Sequence, residues 1–378
     1  MAIEIREHGL NDLEPFIRAG HVVYDGDPTW VPQLHFELKE RFDPRKNPFF
    51  ERAEVAIWTA WKNGRLAGRC TAQIDREHLR VCKDDTGFFG FFDTIDDVDV
   101  ARALIETAAQ WLRERGMKKM RGPLSLYINE EVGVLVEGFD TPPVVMMSHS
   151  RPYQAKVCEA AGLEKEKDLF CWKYDGASAF PPRVLKAWEE TKKLPEVKLR
   201  NVDVKNMAAE TRAFMEIYND AWVGKWGMVP ALPAEVDKVA RDLKLILDPD
   251  LAFMAEVHGK PAGVCIMVPN LNEAIHDLGG KLFPTGAAKL LWRLKVKRPT
   301  STRLMMLGIR KDITRNVKRY GGLSAAMYVE VAKRGIAKGY KWGELSWTRE
   351  DDAPINLGIR SMGAKVYKKY RVYQRSLA

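Results

Sequence analysis

The clearest pattern of apolar and polar positions lies in the last quarter of the chain, between residues 303 and 373. The run RLMMLGI (303–309) has the length and composition of a buried strand. Further on, apolar residues recur at every fourth position, at Leu323, Met327 and Val331. That spacing predicts a helix whose apolar face packs on a sheet.

A basic stretch and two glycines precede this predicted helix. Gly321 and Gly322 carry no side chain that would block an approach to the helix N-terminus, and Arg315, Lys318 and Arg319 add positive charge. The first N–H groups of a helix have no partner inside the helix and carry a partial positive charge, so they can bind an anion. The turn therefore predicts either a pyrophosphate-binding site or an ordinary solvated basic turn.

The segments that follow complete a recognisable order of elements. A second strand, WGELSWTRED (342–351), leads through a short helix to an aromatic strand, YKKYRVYQR (367–375). This order resembles the core of the GNAT acyltransferases, whose glycine turn reads Q/R-x-x-G-x-G/A and corresponds here to residues 319–324. The resemblance implies that acyl-CoA, as co-substrate, is bound by Leu307, Gly308, Ile309, Arg319, Gly321, Gly322, Leu323, Ser324 and Ala325.

The sequence departs from the GNAT pattern in two places. The glycine turn lies further beyond Ile309 than usual, so the connecting loop is longer. Many of these enzymes carry a tyrosine shortly before a Gly-Phe pair, and that tyrosine protonates the leaving thiolate. Here Ile359 occupies its position, and Ala364 follows Gly363. The acid is therefore absent, or it is supplied by Tyr367, Tyr370 or Tyr373.

The same plan occurs twice along the 378 residues, a length that exceeds what one core usually serves. Each half begins with an amphipathic strand and ends with a glycine before a lysine- and aromatic-rich strand. We predict an α/β fold of two tandem GNAT-like domains, each a central mixed, mostly antiparallel sheet flanked by helices. The first domain spans 1–175, a Gly-, Ser- and Pro-containing linker spans 176–196, and the second domain spans 197–378.

The two halves differ at the N-terminus of the helix that would bind pyrophosphate. In the first half, four acids lie there: Asp93, Asp96, Asp97 and Asp99. Acids are good helix caps, but they repel a pyrophosphate at the same place. We therefore expect a degenerate first domain and an acyl-CoA-binding second domain.

Two further segments of the second half carry candidate chemistry. EIYNDAWVGKWGMVP (216–230) predicts a helix end and a loop with four candidate substrate-binding residues: Tyr218, Asn219, Trp222 and Trp226. Aromatic side chains beside polar ones suit an apolar ligand with a polar head; a packed helix–loop corner is the alternative. KLFPTGAAKLLWRLKVKRP (281–299) holds six basic residues and no acid. On a helix, Ala287, Leu290, Leu291 and Leu294 would share one face.

This basic segment predicts either contact with an anionic membrane surface or a surface helix packed on its own domain. The net charge of +9 also favours anionic partners. The five cysteines are scattered and odd in number, which is typical of a reducing compartment. The start MAIEIREHGL lacks the pattern of a signal peptide, and no run of 18 apolar residues occurs. We expect a cytoplasmic protein, with peripheral binding to the inner membrane through 281–299 as a further expectation.

A narrower resemblance rests on several segments together: FFGFFD, GFDTPP, YNDAW, LFPTG, ELSWTREDD and GAKVYKKYRVY. They resemble a bacterial tandem-GNAT group that includes the bacterial ceramide synthases, along nearly the whole chain. The resemblance implies transfer of a long-chain fatty acyl group from acyl-CoA to the amine of a sphingoid base. Three alternatives stay open: another amine as acceptor, a tandem-GNAT aminoacyl-tRNA-dependent ligase, or a non-catalytic lipid-binding protein.

For such a transfer, a neutral amine attacks the thioester and a base takes the ammonium proton, while backbone N–H groups near Gly308 polarise the carbonyl. Glu350, at the end of the second strand, is the leading candidate base; His276 and Asp220 are second choices. A capping or salt-bridging role for Glu350 is the alternative. No His/Cys cluster indicates a metal, and nucleic acid is not an expected partner.

Overall fold

A computed structural model describes residues 2–222, 224–243 and 246–378. The chain forms two compact units, and each is built from separate stretches of sequence. The first unit contains the described residues up to Leu169, together with Ile275–Leu290 and Lys368–Ala378. The second unit contains the described residues of Phe170–Ala274 and Leu291–Tyr367.

The strands are β1 (Ile3–His8), β2 (Ala53–Lys62), β3 (Arg65–Asp75), β4 (Thr86–Thr94), β5 (Lys119–Gly122), β6 (Val134–Glu137), β7 (Glu164–Asp175), β8 (Val197–Asn201), β9 (Ala252–Val257), β10 (Lys260–Pro269), β11 (Ser301–Ile309), β12 (Trp342–Arg349) and β13 (Lys365–Ser376). The helices are α1 (Glu14–Val23), α2 (His35–Arg41), α3 (Arg76–Cys82), α4 (Val98–Arg113), α5 (Gln154–Ala160), α6 (Pro182–Lys192), α7 (Met207–Trp222), α8 (Pro233–Leu243), α9 (Asn272–Ile275), α10 (Gly286–Trp292), α11 (Lys311–Arg315), α12 (Val317–Tyr320), α13 (Leu323–Ala337) and α14 (Ala353–Ser361). Short 3-10 turns lie at Pro48–Glu51 and Pro249–Leu251, and a π-helical turn lies at Arg293–Lys297.

The sheet of the first unit follows the order β1-β2-β3-β4-β5-β13, and β6 also pairs with β13. Its pairings are antiparallel except for β4 and β5, which run parallel. Helix α4 packs on this sheet through buried apolar residues at four-residue spacing: Val100, Leu104, Ala108 and Leu112.

The sheet of the second unit follows the order β7-β12-β11-β10-β9-β8. The pairings of β8 to β11 are antiparallel, whereas β11 and β12 run parallel. Helix α13 buries Leu323, Met327 and Val331 in the core of this unit, as their spacing predicted. The predicted α/β class, with mixed and mostly antiparallel sheets flanked by helices, is confirmed.

The last strand of the chain belongs partly to the first unit. From Lys368 onward, β13 contributes Tyr370 and Tyr373 to that unit's core, where both side chains are fully buried. The hydroxyl of Tyr373 donates to Glu159 Oε1 at 3.1 Å, and Arg371 pairs with Asp168 at 2.9 Å. The domain bounds given by the sequence pattern stay a prediction, since these compact units are composed of other segments.

Residues 176–196, expected to form a linker, contain a helix that packs inside the second unit. Helix α6 lies against α13, and the Nε1–H of Trp188 donates to Glu330 Oε2 at 3.0 Å. The ammonium group of Lys333 lies 3.7 Å from the centre of the Trp188 ring. Val184 and Thr191 of α6 are buried. The segment therefore supports the helix whose N-terminus was expected to bind pyrophosphate.

The position of β13 predicts how two substitutions in it will differ. Tyr373→Ala should lower the free energy of unfolding of the first unit by about 3–5 kcal/mol, because it removes a fully buried aromatic side chain. Arg375→Ala, two residues later, removes a partly exposed ion pair with Glu106 and should cost less than about 1 kcal/mol. Hydrogen exchange of the α4 amides would measure the difference, and equal exchange rates in the two variants would contradict the placement of β13.

Candidate active site

The two parallel strands of the second unit separate part-way along their length. They pair over four residues, from Ser301 opposite Trp342 to Leu304 opposite Leu345. Beyond these pairs β11 continues to Ile309, and β12 continues to its own end. Main-chain groups along two diverging strands can no longer pair with each other, so they can pair with an extended ligand.

The exposure of the side chains changes where the pairing ends. The first four residues of β11 are buried, and Glu344 and Leu345 of β12 are buried as well. The residues beyond them that are partly exposed are Met305, Met306 and Leu307 on β11, and Ser346, Trp347, Thr348 and Arg349 on β12. The strands therefore border an accessible cleft.

The N-terminus of α13 carries no side-chain cap. The helix begins at Leu323, and its N-cap residue, Gly322, supplies no side-chain hydrogen bond to the first N–H groups. The sequence predicted a simple turn for the basic stretch before α13. The stretch instead forms the short helices α11 and α12. Arg319 pairs with Glu196 at 2.6 Å, while Lys318 is exposed. N–H groups at a helix start with cations nearby suit an anion, and the anion site stays a prediction.

Gly322 is required for a reason that the sequence did not indicate. A Cβ atom at this position would lie 3.0 Å from Thr191 Oγ1 and 3.3 Å from the carbonyl oxygen of Ala187, both in α6. The glycine therefore allows α6 to approach the start of α13. Because Gly322 has no side chain, the two helices can pack closely and the N–H groups of α13 stay accessible.

The corresponding helix of the first unit is capped by its own sequence. The carboxylate of Asp97 accepts hydrogen bonds from the N–H groups of Asp99 and Val100, at 3.0 and 3.2 Å, and it also pairs with Lys62. These N–H groups are occupied, and a negative charge lies where a pyrophosphate would bind. This arrangement supports the expectation that the first half does not bind the cofactor.

The split between the parallel strands of the first unit is closed by the chain itself. Strands β4 and β5 pair as far as Phe88 and Arg121. The N–H of Leu124 then donates to the carbonyl oxygen of Phe89 at 2.8 Å, and every residue of β4 is buried. The segment after β5 thus fills the place that is accessible in the second unit.

The structure brings two predicted site regions together at Gly308. A Cβ atom on Gly308 would lie only 1.9 Å from Trp222 Cη2, so the indole ring of Trp222 lies directly on the backbone of β11. Trp222 stacks on Tyr218, and Tyr218 stacks on Phe214, with ring centroids 5.4 and 5.8 Å apart. An aromatic row on α7 therefore leads to the end of β11, between Leu307 and Ile309.

The polar residues of the same segment take part in local structure. The carboxylate of Asp220 accepts a hydrogen bond from the N–H of Lys311 at the start of α11. Asn219 Oδ1 accepts from the N–H of Ala231 at 3.3 Å. Trp226 lies partly exposed in the following loop, and Val223 lies outside the described residues. Asp220 is thus placed as a capping group, which argues against its role as a base.

The other two candidate bases lie in different units. Glu350 is partly exposed in the turn after β12, as expected for a strand end, and its carbonyl oxygen accepts from Asn356 Nδ2 at 3.5 Å. Asp352, in the same turn, pairs with Arg349. His276 belongs to the first unit, whereas Glu350 and Asp220 belong to the second. The role of Glu350 as a base stays a prediction.

A buried polar cluster lies at the point where β11 and β12 separate. Arg303 and Glu344 are register partners, with exposed fractions of 6% and 1%. The hydroxyl of Tyr367 donates to Glu344 Oε2, and Arg303 Nε donates to Ser346 Oγ at 3.0 Å. Buried charge is costly unless it is paired, so this cluster is a strong constraint on the apex of the cleft.

Sequence reasoning found only part of this cluster. It kept Tyr367 among three candidate acids, but it passed over Arg303. Tyr370 and Tyr373 lie in the core of the first unit, where Tyr370 donates to the Ser148 carbonyl at 2.9 Å. The sequence signal for this cluster was one charged residue inside each strand, Arg303 in β11 and Glu344 in β12.

The basic segment 281–299 exposes both charge and apolar surface. Four of its large apolar side chains are exposed, by 54 to 83%: Phe283, Leu291, Trp292 and Val296. Leu291 does not share a buried face with Ala287, Leu290 and Leu294, which are only partly exposed. The sequence-based expectation of one common apolar face is therefore wrong at Leu291.

The described residues contain neither a metal-binding cluster nor a membrane-spanning helix. No group of three or more His, Cys, Asp or Glu side chains there is arranged to hold a metal ion. Among the same residues, every helix is too short or too polar to cross a membrane.

Comparison with known proteins gives close relatives by sequence. No family model matches the chain. The bacterial ceramide synthase of Caulobacter vibrioides (strain NA1000 / CB15N) is 38% identical over 370 residues, which are 97% of this chain and 95% of that protein. Protein YghO of Escherichia coli (strain K12) is 37% identical over 369 residues, which are 97% of this chain and 93% of that protein.

Solved structures with the same fold are more distant in sequence. A tandem GNAT protein from the clavulanic acid biosynthesis pathway has a TM-score of 0.60 and 12% identity, and covers all of this chain and 99% of its own. A GCN5-related N-acetyltransferase from Sphaerobacter thermophilus has a TM-score of 0.56 and 12% identity, with 99% and 96% coverage. The predicted resemblance is confirmed: the chain belongs to the tandem GNAT-fold N-acyltransferase family that includes the bacterial ceramide synthase of Caulobacter vibrioides.

Proposed function

We propose that this protein transfers a long-chain fatty acyl group from acyl-CoA to the amine of a sphingoid base. The observation that carries the proposal is the accessible cleft between β11 and β12, next to the uncapped N-terminus of α13. The name of the Caulobacter relative, which is similar along 95% of its length, supports the choice of acceptor.

The second unit offers partners for each part of acyl-CoA. The N–H groups at the start of α13, from Leu323 to Ala325, suit the pyrophosphate. The diverging edges of β11 and β12 suit the extended pantetheine arm, which carries amides that pair with main-chain groups. The first unit, with Asp97 as a cap and Leu124 in its split, offers neither feature.

The acceptor side is supported by the aromatic row on α7. Phe214, Tyr218 and Trp222 form a continuous aromatic stack that ends at Gly308, in which Tyr218 is buried and Phe214 and Trp222 are partly exposed. A sphingoid base has a polar amino-alcohol head on a long alkyl chain, so aromatic side chains beside the transfer point suit it. Its nitrogen would approach the thioester from this side.

The reaction itself needs one proton removed and one delivered. The amine nitrogen forms a bond to the thioester carbon, and the carbon–sulfur bond then breaks. N–H groups of β11 near Gly308 would stabilise the oxyanion, Glu350 would take the ammonium proton, and the thiolate would leave protonated. Tyr367, which donates to Glu344, is the candidate tyrosine that belongs to the second unit.

Contact with an anionic membrane is part of the proposal, because both substrates are lipids. Within 281–299, the part that belongs to the second unit exposes Leu291, Trp292 and Val296 on a stretch that also holds four basic residues, Arg293, Lys295, Lys297 and Arg298. A short segment with this composition binds at the surface of a bilayer rather than across it. It would bring the protein to the membrane that holds the acceptor.

The proposed anion site predicts different effects of two isosteric side chains introduced at one position. Ser324→Glu should weaken acyl-CoA binding at least about tenfold, because it puts a carboxylate among the N–H groups at the start of α13. Ser324→Gln should change the affinity little, and neither variant should lower the melting temperature, since acids near a helix N-terminus stabilise it. Calorimetric titration with palmitoyl-CoA measures the affinity of each variant. Asp97→Asn in the first unit is a further control, and it should leave this affinity unchanged. Equal affinity of the Glu and Gln variants would remove the pyrophosphate assignment.

The acceptor is tested by release of free thiol from palmitoyl-CoA. We expect release that depends on sphinganine or 3-ketosphinganine and not on a short polar amine, since only the former fits an aromatic row. Release with the short amine alone would assign another acceptor. Binding of palmitoyl-CoA without turnover on any amine would favour the non-catalytic alternative.

The membrane surface is tested by flotation with vesicles. Lys295→Glu combined with Lys297→Glu should reduce binding to phosphatidylglycerol vesicles at least about tenfold, since each basic residue at an anionic surface contributes about 1 kcal/mol. Trp292→Ser should also reduce binding to these vesicles, whereas Leu357→Ser removes an even more exposed apolar side chain, on α14, and should not. Binding that is equal for phosphatidylcholine vesicles, or unchanged in the charge variants, would contradict this surface.

A further inference from the structure

The second unit contains an apolar cavity between α13 and the sheet. Its volume is about 50 Å³, and its walls come from α13, from the first residues of β11 and β12, and from Met267 and Met362. Leu304 and Leu345, the last paired residues of the two strands, line one end of it. The cavity therefore starts at the apex of the cleft.

The α13 side of the cavity is a single stripe of the helix. Tyr328, Val331, Ala332, Gly335 and Ile336 follow one another at helical spacing and line the cavity. From Tyr328 to Ile336 the stripe is roughly 12 Å long at 1.5 Å per residue. Two small residues in its middle, Ala332 and Gly335, create the space, and Ile336 at the far end is 38% exposed. The cavity thus has an inner end at the apex and an outer end near solvent.

The strands block a straight path onward from the apex. A pantetheine arm in the cleft would hold its thioester near Gly308, so the acyl chain would run toward Leu304 and Leu345, beyond which main-chain pairing closes the gap between β11 and β12. An acyl chain that continues from the thioester must therefore leave on a face of the sheet. On the α13 face, the cavity begins at the same two leucines.

We propose that this cavity binds the fatty acyl chain and that Ala332 and Ile336 set the chain length that the enzyme accepts. The inference rests on the proposed function, since it assumes an acyl-CoA in the cleft. The lining is almost entirely apolar, and its one carboxylate, Glu344, accepts a hydrogen bond from Tyr367. Met267 and Met362 are flexible side chains that can repack to admit further methylene groups.

Calorimetric titration of the full chain with CoA, octanoyl-CoA and palmitoyl-CoA tests the proposal. The wild-type protein should bind palmitoyl-CoA at least about tenfold more tightly than CoA, because the chain is removed from water. Ala332→Leu should lose most of that gain and keep the affinity for CoA. Ala337→Leu makes the same change at an exposed position of α13 outside the cavity and should behave as wild type.

A second variant blocks only the outer end. Ile336→Trp, at an exposed position that tolerates a larger side chain, should weaken palmitoyl-CoA binding at least about fivefold and leave octanoyl-CoA unchanged. Full retention of the palmitoyl gain in both cavity variants would overturn the acyl site, as would equal losses for all three ligands in Ile336→Trp. A wild-type protein that binds CoA with no gain from the palmitoyl chain overturns the acyl site alone. A wild-type protein that binds neither CoA, octanoyl-CoA nor palmitoyl-CoA overturns the proposed function as well as the acyl site.

Discussion

Main-chain pairing between β11 and β12 stops after four residue pairs, and the rest of the site depends on this limit. Two parallel strands that stayed paired to their ends would leave no edge for an extended ligand. Because they separate after Leu304 and Leu345, each presents main-chain groups to the cleft. The buried cluster of Arg303, Glu344 and Tyr367 lies at the same point. A paired buried charge holds its neighbours in one geometry, so the cluster fixes the strands where they diverge.

The two units share one strand topology but differ in the local chemistry around it. Both contain a parallel pair of strands with a long helix between them in the chain, α4 in the first unit and α13 in the second. In the first unit Leu124 closes the split and Asp97 occupies the N–H groups of α4. In the second unit, β11 and β12 border an accessible cleft and α13 has no side-chain cap. Local chemistry at these few positions, rather than the fold, distinguishes the two units.

Helix α13 connects the proposed parts of the site along one axis. Its N-terminus presents N–H groups to an anion, and its middle packs on the sheet through Met327 and Val331. Its second half lines the apolar cavity with Ala332 and Gly335. Helix α6 supports this arrangement from outside, since Trp188 contacts Glu330 and Thr191 lies against Gly322. A rigid helix is well suited to hold the two ends of a long ligand at a fixed separation.

The sequence alone determined the class of fold and the main elements of the second unit. The run ending at Ile309, the helical spacing from Leu323, and the acids around Asp97 are local signals, because periodicity and capping involve residues close in the chain. The glycine turn was also readable, although its two short helices were not. Only the tertiary structure decided that Trp222 lies on Gly308, that Glu344 meets Tyr367, and that β13 completes the first unit. These contacts join residues that are distant in sequence, and no local pattern encodes which distant partner fills a given space.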